Sequence, residues 1–145
     1  METISKSEKE TIHLAQELAV RLRPGAVVLL KGPLGSGKSV FARGLIRALA
    51  GDPALEVPSP TFTLVQRYET PAGPVSHFDL YRIKDFSEVF ELGWEDALYE
   101  GLTLVEWPER LGGLTPKGAV TVCFEAVPGH PDSRLVVIDG TFPLC

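Results

Sequence analysis

Ala26-Val27-Val28-Leu29-Leu30-Lys31-Gly32-Pro33-Leu34-Gly35-Ser36-Gly37-Lys38-Ser39-Val40-Phe41-Ala42-Arg43-Gly44-Leu45-Ile46-Arg47-Ala48-Leu49 carries the reading of the fold. Residues 26–30 form an apolar run with the character of a buried parallel strand. Residues 40–49 continue as an amphipathic helix. Between them, Gly32 to Ser39 fits the P-loop pattern, glycine first and Gly-Lys-Ser last. A strand feeding a glycine loop that opens a helix is the geometry a phosphate needs. Glycine lets successive backbone N–H groups turn inward, and the helix N-terminus adds partial positive charge. Leu34, Gly35, Ser36 and Gly37 then wrap the phosphates, Lys38 reaches the β- and γ-phosphates, and the Ser39 hydroxyl serves a Mg²⁺ ion.

The rest of the chain fits around this unit. Ser7-Glu8-Lys9-Glu10 is a capping box that opens a helix running to about Leu22. Gly51-Asp52-Pro53 stops the P-loop helix, and the prolines at 58 and 60 favour an extended loop through Thr63. Strands are expected at 64–68 and 75–81, and a helix interrupted near Gly93 over 85–99. A buried strand follows at 102–105, and a closing hairpin at 120–124 and 134–138 turns through 128–132. Early alternation of strands and helices predicts an α/β, P-loop NTPase-like three-layer sandwich. Its mixed central sheet has a parallel core and antiparallel edge strands. Residues 1–145 are expected to form one such domain.

Bulk properties narrow the partners. Charged residues make up 23% of the chain, the hydrophobic content is 44% and the formal net charge is −5. That acidic balance speaks against autonomous grip on nucleic acid, which calls for a basic footprint. There is no membrane-length apolar run and no secretory h-region at the N-terminus, so a cytoplasmic location is expected. Cys123 and Cys145 form no disulfide framework and no metal spacing. Asparagine is absent, which removes any Asn-Lys-x-Asp element for reading guanine.

A P-loop needs an acid facing it across the metal. Glu106 ends the apolar run Leu102-Thr103-Leu104-Val105, and Asp79 lies in His77-Phe78-Asp79-Leu80-Tyr81-Arg82. Strand alternation puts His77, Asp79 and Tyr81 on one face and Phe78 and Leu80 on the other. Ser59-Pro60-Thr61-Phe62-Thr63 has the character of a loop that senses the γ-phosphate. Arg43 and Arg47, one turn apart, read as a solvated stripe. Trp94 and Trp107 read as core or cover residues rather than stacking platforms.

Taken together, the P-loop, Ser59-Pro60-Thr61-Phe62-Thr63-Leu64-Val65, His77-Phe78-Asp79-Leu80-Tyr81-Arg82 and Leu104-Val105-Glu106-Trp107-Pro108-Glu109 resemble the TsaE family, formerly YjeE. That family comprises the ATPases of bacterial tRNA threonylcarbamoyladenosine (t6A) modification. The motifs stand in the family's order, and the resemblance covers nearly the whole chain. It implies ATP and Mg²⁺ as cofactors, with Lys38 on phosphate and Ser39 and Glu106 on the metal. It implies Asp79 on metal or attacking water, and Thr61 in the switch. Catalysis is thereby assigned to Lys38, Asp79, Glu106 and Thr61. Arg134 is a further expected nucleotide contact. The implied partners are TsaD and TsaB, with tRNA engaged only through that complex. Two departures stand out: Pro33 follows the first glycine where an acid is often found, and Ser39 replaces a commoner threonine. Two other classes share the binding residues, a small-molecule P-loop kinase and a nucleotide-gated interaction module with negligible hydrolysis.

Overall fold

The computed structural model describes residues 1–140, so Cys145 lies outside the described residues. Its strands are β1 (Glu2–Ser5), β2 (Val27–Lys31), β3 (Val65–Thr70), β4 (Gly73–Asp79), β5 (Leu102–Glu106), β6 (Val120–Val127) and β7 (His130–Asp139). The helices are α1 (Glu8–Ala19), α2 (Lys38–Ala50), α3 (Glu88–Glu91) and α4 (Trp94–Glu100), with a 3₁₀ segment at Pro108–Leu114. The strands form one sheet in the order β1-β7-β6-β2-β5-β4-β3. Strands β6, β2, β5 and β4 run parallel, and β3, β7 and β1 add antiparallel edges. This is the expected sandwich: each face of the sheet carries its own apolar cluster.

One cluster lies beneath α1 and α2 and gathers Leu14, Leu18, Phe41, Leu45, Val75 and Phe124. The other, beneath α3, α4 and the 3₁₀ segment, gathers Leu29, Phe78, Leu80, Val89, Trp94 and Leu111. Strand parity explains the split: Val75 and His77 face the first layer, Phe78 and Leu80 the second. Trp94 is a core residue, its ring edge-on to Phe78 at 5.2 Å between centroids. Helix α1 crosses close over α2 because position 44 is glycine. A Cβ there would stand 3.3 Å from Ala15 Cβ and from Ile12 Cα. This approach brings the N-terminal segment beside the P-loop helix.

Five readings differ from the structure, the first being the strand expected at 75–81, which ends at Asp79 and leaves Tyr81 in a turn beyond it. Strand β1 was not anticipated; it is four residues long and pairs Ser5 with Arg134 on β7. The turn expected at 128–132 is tighter, because β7 already begins at His130. Pro60 to Thr63 forms a turn rather than extended chain, closed by Leu64 N–H donating to the Pro60 carbonyl at 2.6 Å. Arg47 is not simply solvated: its Nε donates to the Leu55 carbonyl at 2.8 Å, tying down the chain that leaves α2. The interruption in the 85–99 helix falls where expected, at Gly93 with φ 81°.

Candidate nucleotide-binding site

The P-loop bends back on itself with two demanding glycines. Gly32 has φ +149°, and a Cβ there would meet Ser36 Oγ at 2.7 Å and the Phe124 carbonyl oxygen at 3.0 Å. Gly37, with φ 107°, leads directly into α2. The loop therefore ends with its backbone N–H groups at the start of a helix of 13 residues, where the macrodipole favours an anion. Ser36 Oγ is buried with no hydrogen-bond partner in the protein. An orphaned hydroxyl inside this loop fits a site whose polar complement is a ligand.

Register places the acids. Asp79 on β4 pairs with Glu106 on β5, and Glu106 pairs with Leu30 on β2, the P-loop strand. Both carboxylates thus sit at the C-terminal ends of neighbouring parallel strands, where open α/β sheets bind ligands. Glu106 is 3% exposed. Its Oε1 accepts from Ser39 Oγ at 3.5 Å, and its Oε2 lies 2.7 Å from His77 Nε2. Both oxygens of Asp79 accept a hydrogen bond as well. Its Oδ1 accepts from the Tyr81 N–H at 3.0 Å and its Oδ2 from the Thr61 hydroxyl at 3.2 Å. Ser59 Oγ lies 2.6 Å from Thr61 Oγ1, so the candidate switch loop is latched to the strand end through Asp79.

Lys38 is folded inward. Its Nζ donates to the Gly32 carbonyl and lies 3.4 Å from the centre of the Trp107 ring. Burial pushes its pKa below the ordinary 10.5, against the opposing pull of Glu106, Glu109 and Asp79. Trp107 holds this position with φ 59°, and its ring packs against Tyr81 at 4.8 Å. The other non-glycine residue with positive φ among those described is Leu64 (φ 69°), which closes the turn begun at Pro60. Such backbone costs about 1–3 kcal/mol per residue and clusters where function holds it. At the far side, Arg134 Nη2 reaches the Gly35 carbonyl at 3.3 Å, and Nη1 is held by the Pro131 and Ser133 carbonyls.

All sequence-derived candidates converge on one cavity of about 460 Å³: Leu34 to Ser39, Thr61, Asp79, Glu106 and Arg134 line it. Two participants escaped the sequence reading. His77 does share a face of β4 with Asp79, as alternation indicates, but its contact with Glu106 on the neighbouring strand was not foreseen. Trp107 had been read as a core or cover residue; it lines the cavity and carries the lysine. No local pattern in the chain announces a tryptophan in the left-handed region. Among the described residues no group of three or more His, Cys, Asp or Glu side chains is placed to hold a metal. Mg²⁺ takes one or two carboxylates and completes its shell with phosphate oxygens and water. The Ser39 hydroxyl and Glu106 carboxylate supply hard oxygen donors of that type.

A glycine loop between a parallel strand and a helix, faced by two acids in register, defines a P-loop nucleotide-binding fold. The family described as "Threonylcarbamoyl adenosine biosynthesis protein TsaE" matches residues 5–134, and the chain belongs to that family. It is 44% identical over 141 residues to the tRNA threonylcarbamoyladenosine biosynthesis protein TsaE of Rickettsia bellii, covering 97% of this chain and 96% of the relative. The protein of the same description from Aquifex aeolicus is 43% identical over 109 residues, covering 75% of this chain and 77% of that one. The crystal structure of YdiB from Bacillus subtilis superposes with a TM-score of 0.79 at 24% identity, covering 97% of this chain and 84% of that one. At that identity the likeness concerns the fold. Among the described residues no helix is long and apolar enough to cross a membrane.

Proposed function

We propose that this chain, acting as one domain, binds ATP with Mg²⁺ over its P-loop and hydrolyses it to support threonylcarbamoyladenosine formation in tRNA. The observation that carries the reading is Glu106, buried, in register with Asp79, and bonded to the P-loop's own Ser39. Lys38 exchanges the Gly32 carbonyl for β- and γ-phosphate oxygens, and its charge, desolvated by burial, gains a paired anion. Ser39 and Glu106 hold the metal, which when bound neutralises charge developing on the phosphates. Asp79 and Thr61 orient the water that attacks the γ-phosphorus as the bond to the bridging oxygen breaks, yielding ADP and phosphate. Arg134 steadies the loop and the nucleotide from the β7 side.

TsaD and TsaB are the partners in this reading, and tRNA is met only through them in the cytoplasm. A chain of net charge −5 lacks the basic footprint for holding tRNA alone. Hydrolysis then resets the complex between rounds, with the Thr61–Asp79 latch as the element that nucleotide state biases. Phosphate release measured with and without the TsaB–TsaD pair, beside multiple-turnover tRNA modification, tests it. Slow release alone and clear stimulation by the pair are expected. Full modification turnover without this protein, or with its Lys38→Ala variant, overturns it.

A further inference from the structure

Phe62 turns its ring into water, 82% exposed, although the residues around it are tied down. Thr61 donates to Asp79 Oδ2, and Thr63 Oγ1 accepts from the Gln66 amide at 3.1 Å. The Leu64 N–H closes the turn on the Pro60 carbonyl, with Leu64 itself at positive φ. Hydrogen bonds and a disfavoured backbone thus go into a turn whose tip is an aromatic ring held out of the core. A ring that served only packing would be folded inward.

Arg82 completes the feature. Its guanidinium lies over the Phe62 ring, 5.0 Å from the ring centre. Among the described residues no carboxylate pairs with it. The acids nearest along the chain are turned elsewhere: Glu88 Oε2 accepts the Lys84 and Asp85 N–H groups, and Asp85 Oδ1 accepts from Ser87. A chain with 19 acids against 14 Lys and Arg therefore leaves this guanidinium without one. Aromatic and arginine side chains are enriched at the buried centres of protein interfaces, and groups ordered before binding lose less entropy on docking. Complementarity then specifies the other surface: an apolar pocket for the ring and a carboxylate for the guanidinium fork. Nucleic acid would bring phosphates instead, toward a chain of net charge −5.

We infer that the Phe62–Arg82 pair is the anchor by which this chain docks a protein partner whose surface offers an apolar pocket rimmed by a carboxylate. The inference rests on the partner reading above and adds to it the side chains that make the contact. Because the turn hangs from Asp79, the anchor is tied to the carboxylate that faces the P-loop. Calorimetric titration of the full chain with the purified TsaB–TsaD pair, a non-hydrolysable ATP analogue and no RNA tests it. Phe62→Ala is expected to weaken binding about tenfold to a hundredfold, and Arg82→Ala about tenfold with a shallower salt dependence. Both variants should bind ATP as the wild type does, since neither side chain lines the cavity. Wild-type affinity for the pair in Phe62→Ala overturns this inference and leaves the partner reading standing. Unchanged affinity and salt dependence in Arg82→Ala also overturn it, as does loss of ATP binding in either variant. A dimer of the chain alone that Phe62→Ala dissolves gives the ring to a second copy, and wild-type binding that requires added tRNA gives it to RNA; each overturns it. Failure of the wild type to bind the pair overturns the partner reading and this inference together.

Discussion

Replacing His77 with leucine removes the group facing Glu106 Oε2 at 2.7 Å. The two side chains are 3% and 4% exposed, so water cannot take over the contact without opening the sheet. They meet because His77 on β4 pairs with Leu104 on β5, and Glu106 stands two residues further along that strand. Same-face diagonal neighbours of this kind are within reach of long side chains. The far nitrogen, Nδ1, has no partner, so nothing else is orphaned by the change. A hydrogen bond to a charged group contributes about 1.5–3 kcal/mol. For a chain of this size that corresponds to a fall in melting temperature of roughly 3–12 °C. His77→Gln, whose amide nitrogen can reach the same oxygen, is expected to recover most of the loss. Stability alone would not distinguish support of the fold from positioning of Glu106. The second readout is therefore Mg²⁺ dependence, because Glu106 Oε1 faces Ser39. His77→Leu should need several-fold more Mg²⁺ for the same ATP binding, and His77→Gln should not. A leucine variant with the wild-type melting temperature and Mg²⁺ dependence would refute the reasoning, as would a glutamine variant no better than leucine.

Lys38→Ala should weaken ATP binding about tenfold to a hundredfold by removing a charge-assisted phosphate contact, read by calorimetry. The same residue sets a pH dependence. Burial lowers the free protein's Lys38 pKa below 10.5, and bound phosphate raises it again, so binding favours the protonated form. ATP affinity should hold at neutral pH and fall as pH climbs through the lowered value toward 10.5, with proton uptake on binding in that window. Gly32→Ala forces a Cβ to within 2.7 Å of Ser36 Oγ at a positive φ, and should cost about 1–3 kcal/mol in denaturant titrations. Hydrogen exchange at 59–63 should be slower with a non-hydrolysable ATP analogue than with ADP; equal protection would reduce the Thr61–Asp79 latch to a static turn.

Periodicity and glycine placement made the sandwich, the P-loop and both acids legible in the chain. Local rules suffice there, because an apolar run ending in Glu106 and an alternation ending in Asp79 fix each side chain's face on its own strand. What stayed hidden depends on pairing between distant segments. Strand β1 is short and its Ile4 is exposed, so no apolar pattern marks it; it exists because β7 offers an edge to Glu2–Ser5. The His77–Glu106 bond likewise depends on β4 and β5 being neighbours, which no window of sequence contains.

The two residues held in the left-handed region show how these distant pairings converge on the cavity. Leu64 and Trp107 each hold a backbone conformation disfavoured by about 1–2 kcal/mol for an L-residue. Each follows a segment that must end abruptly: the turn at 60–63 before β3, and β5 directly after Glu106. Leu64 compensates through its carbonyl, which accepts the Asp79 N–H at 3.0 Å, and Trp107 through its ring, which receives the Lys38 ammonium and Tyr81. The disfavoured backbone is therefore coupled to the groups proposed to engage nucleotide, Asp79 on one side and Lys38 on the other. A phosphate that draws Lys38 away removes the cation–π contact, worth about 0.5–2 kcal/mol, that helps hold Trp107 in place. The energy of the resting P-loop and that of the loop after Glu106 consequently change together when the site fills.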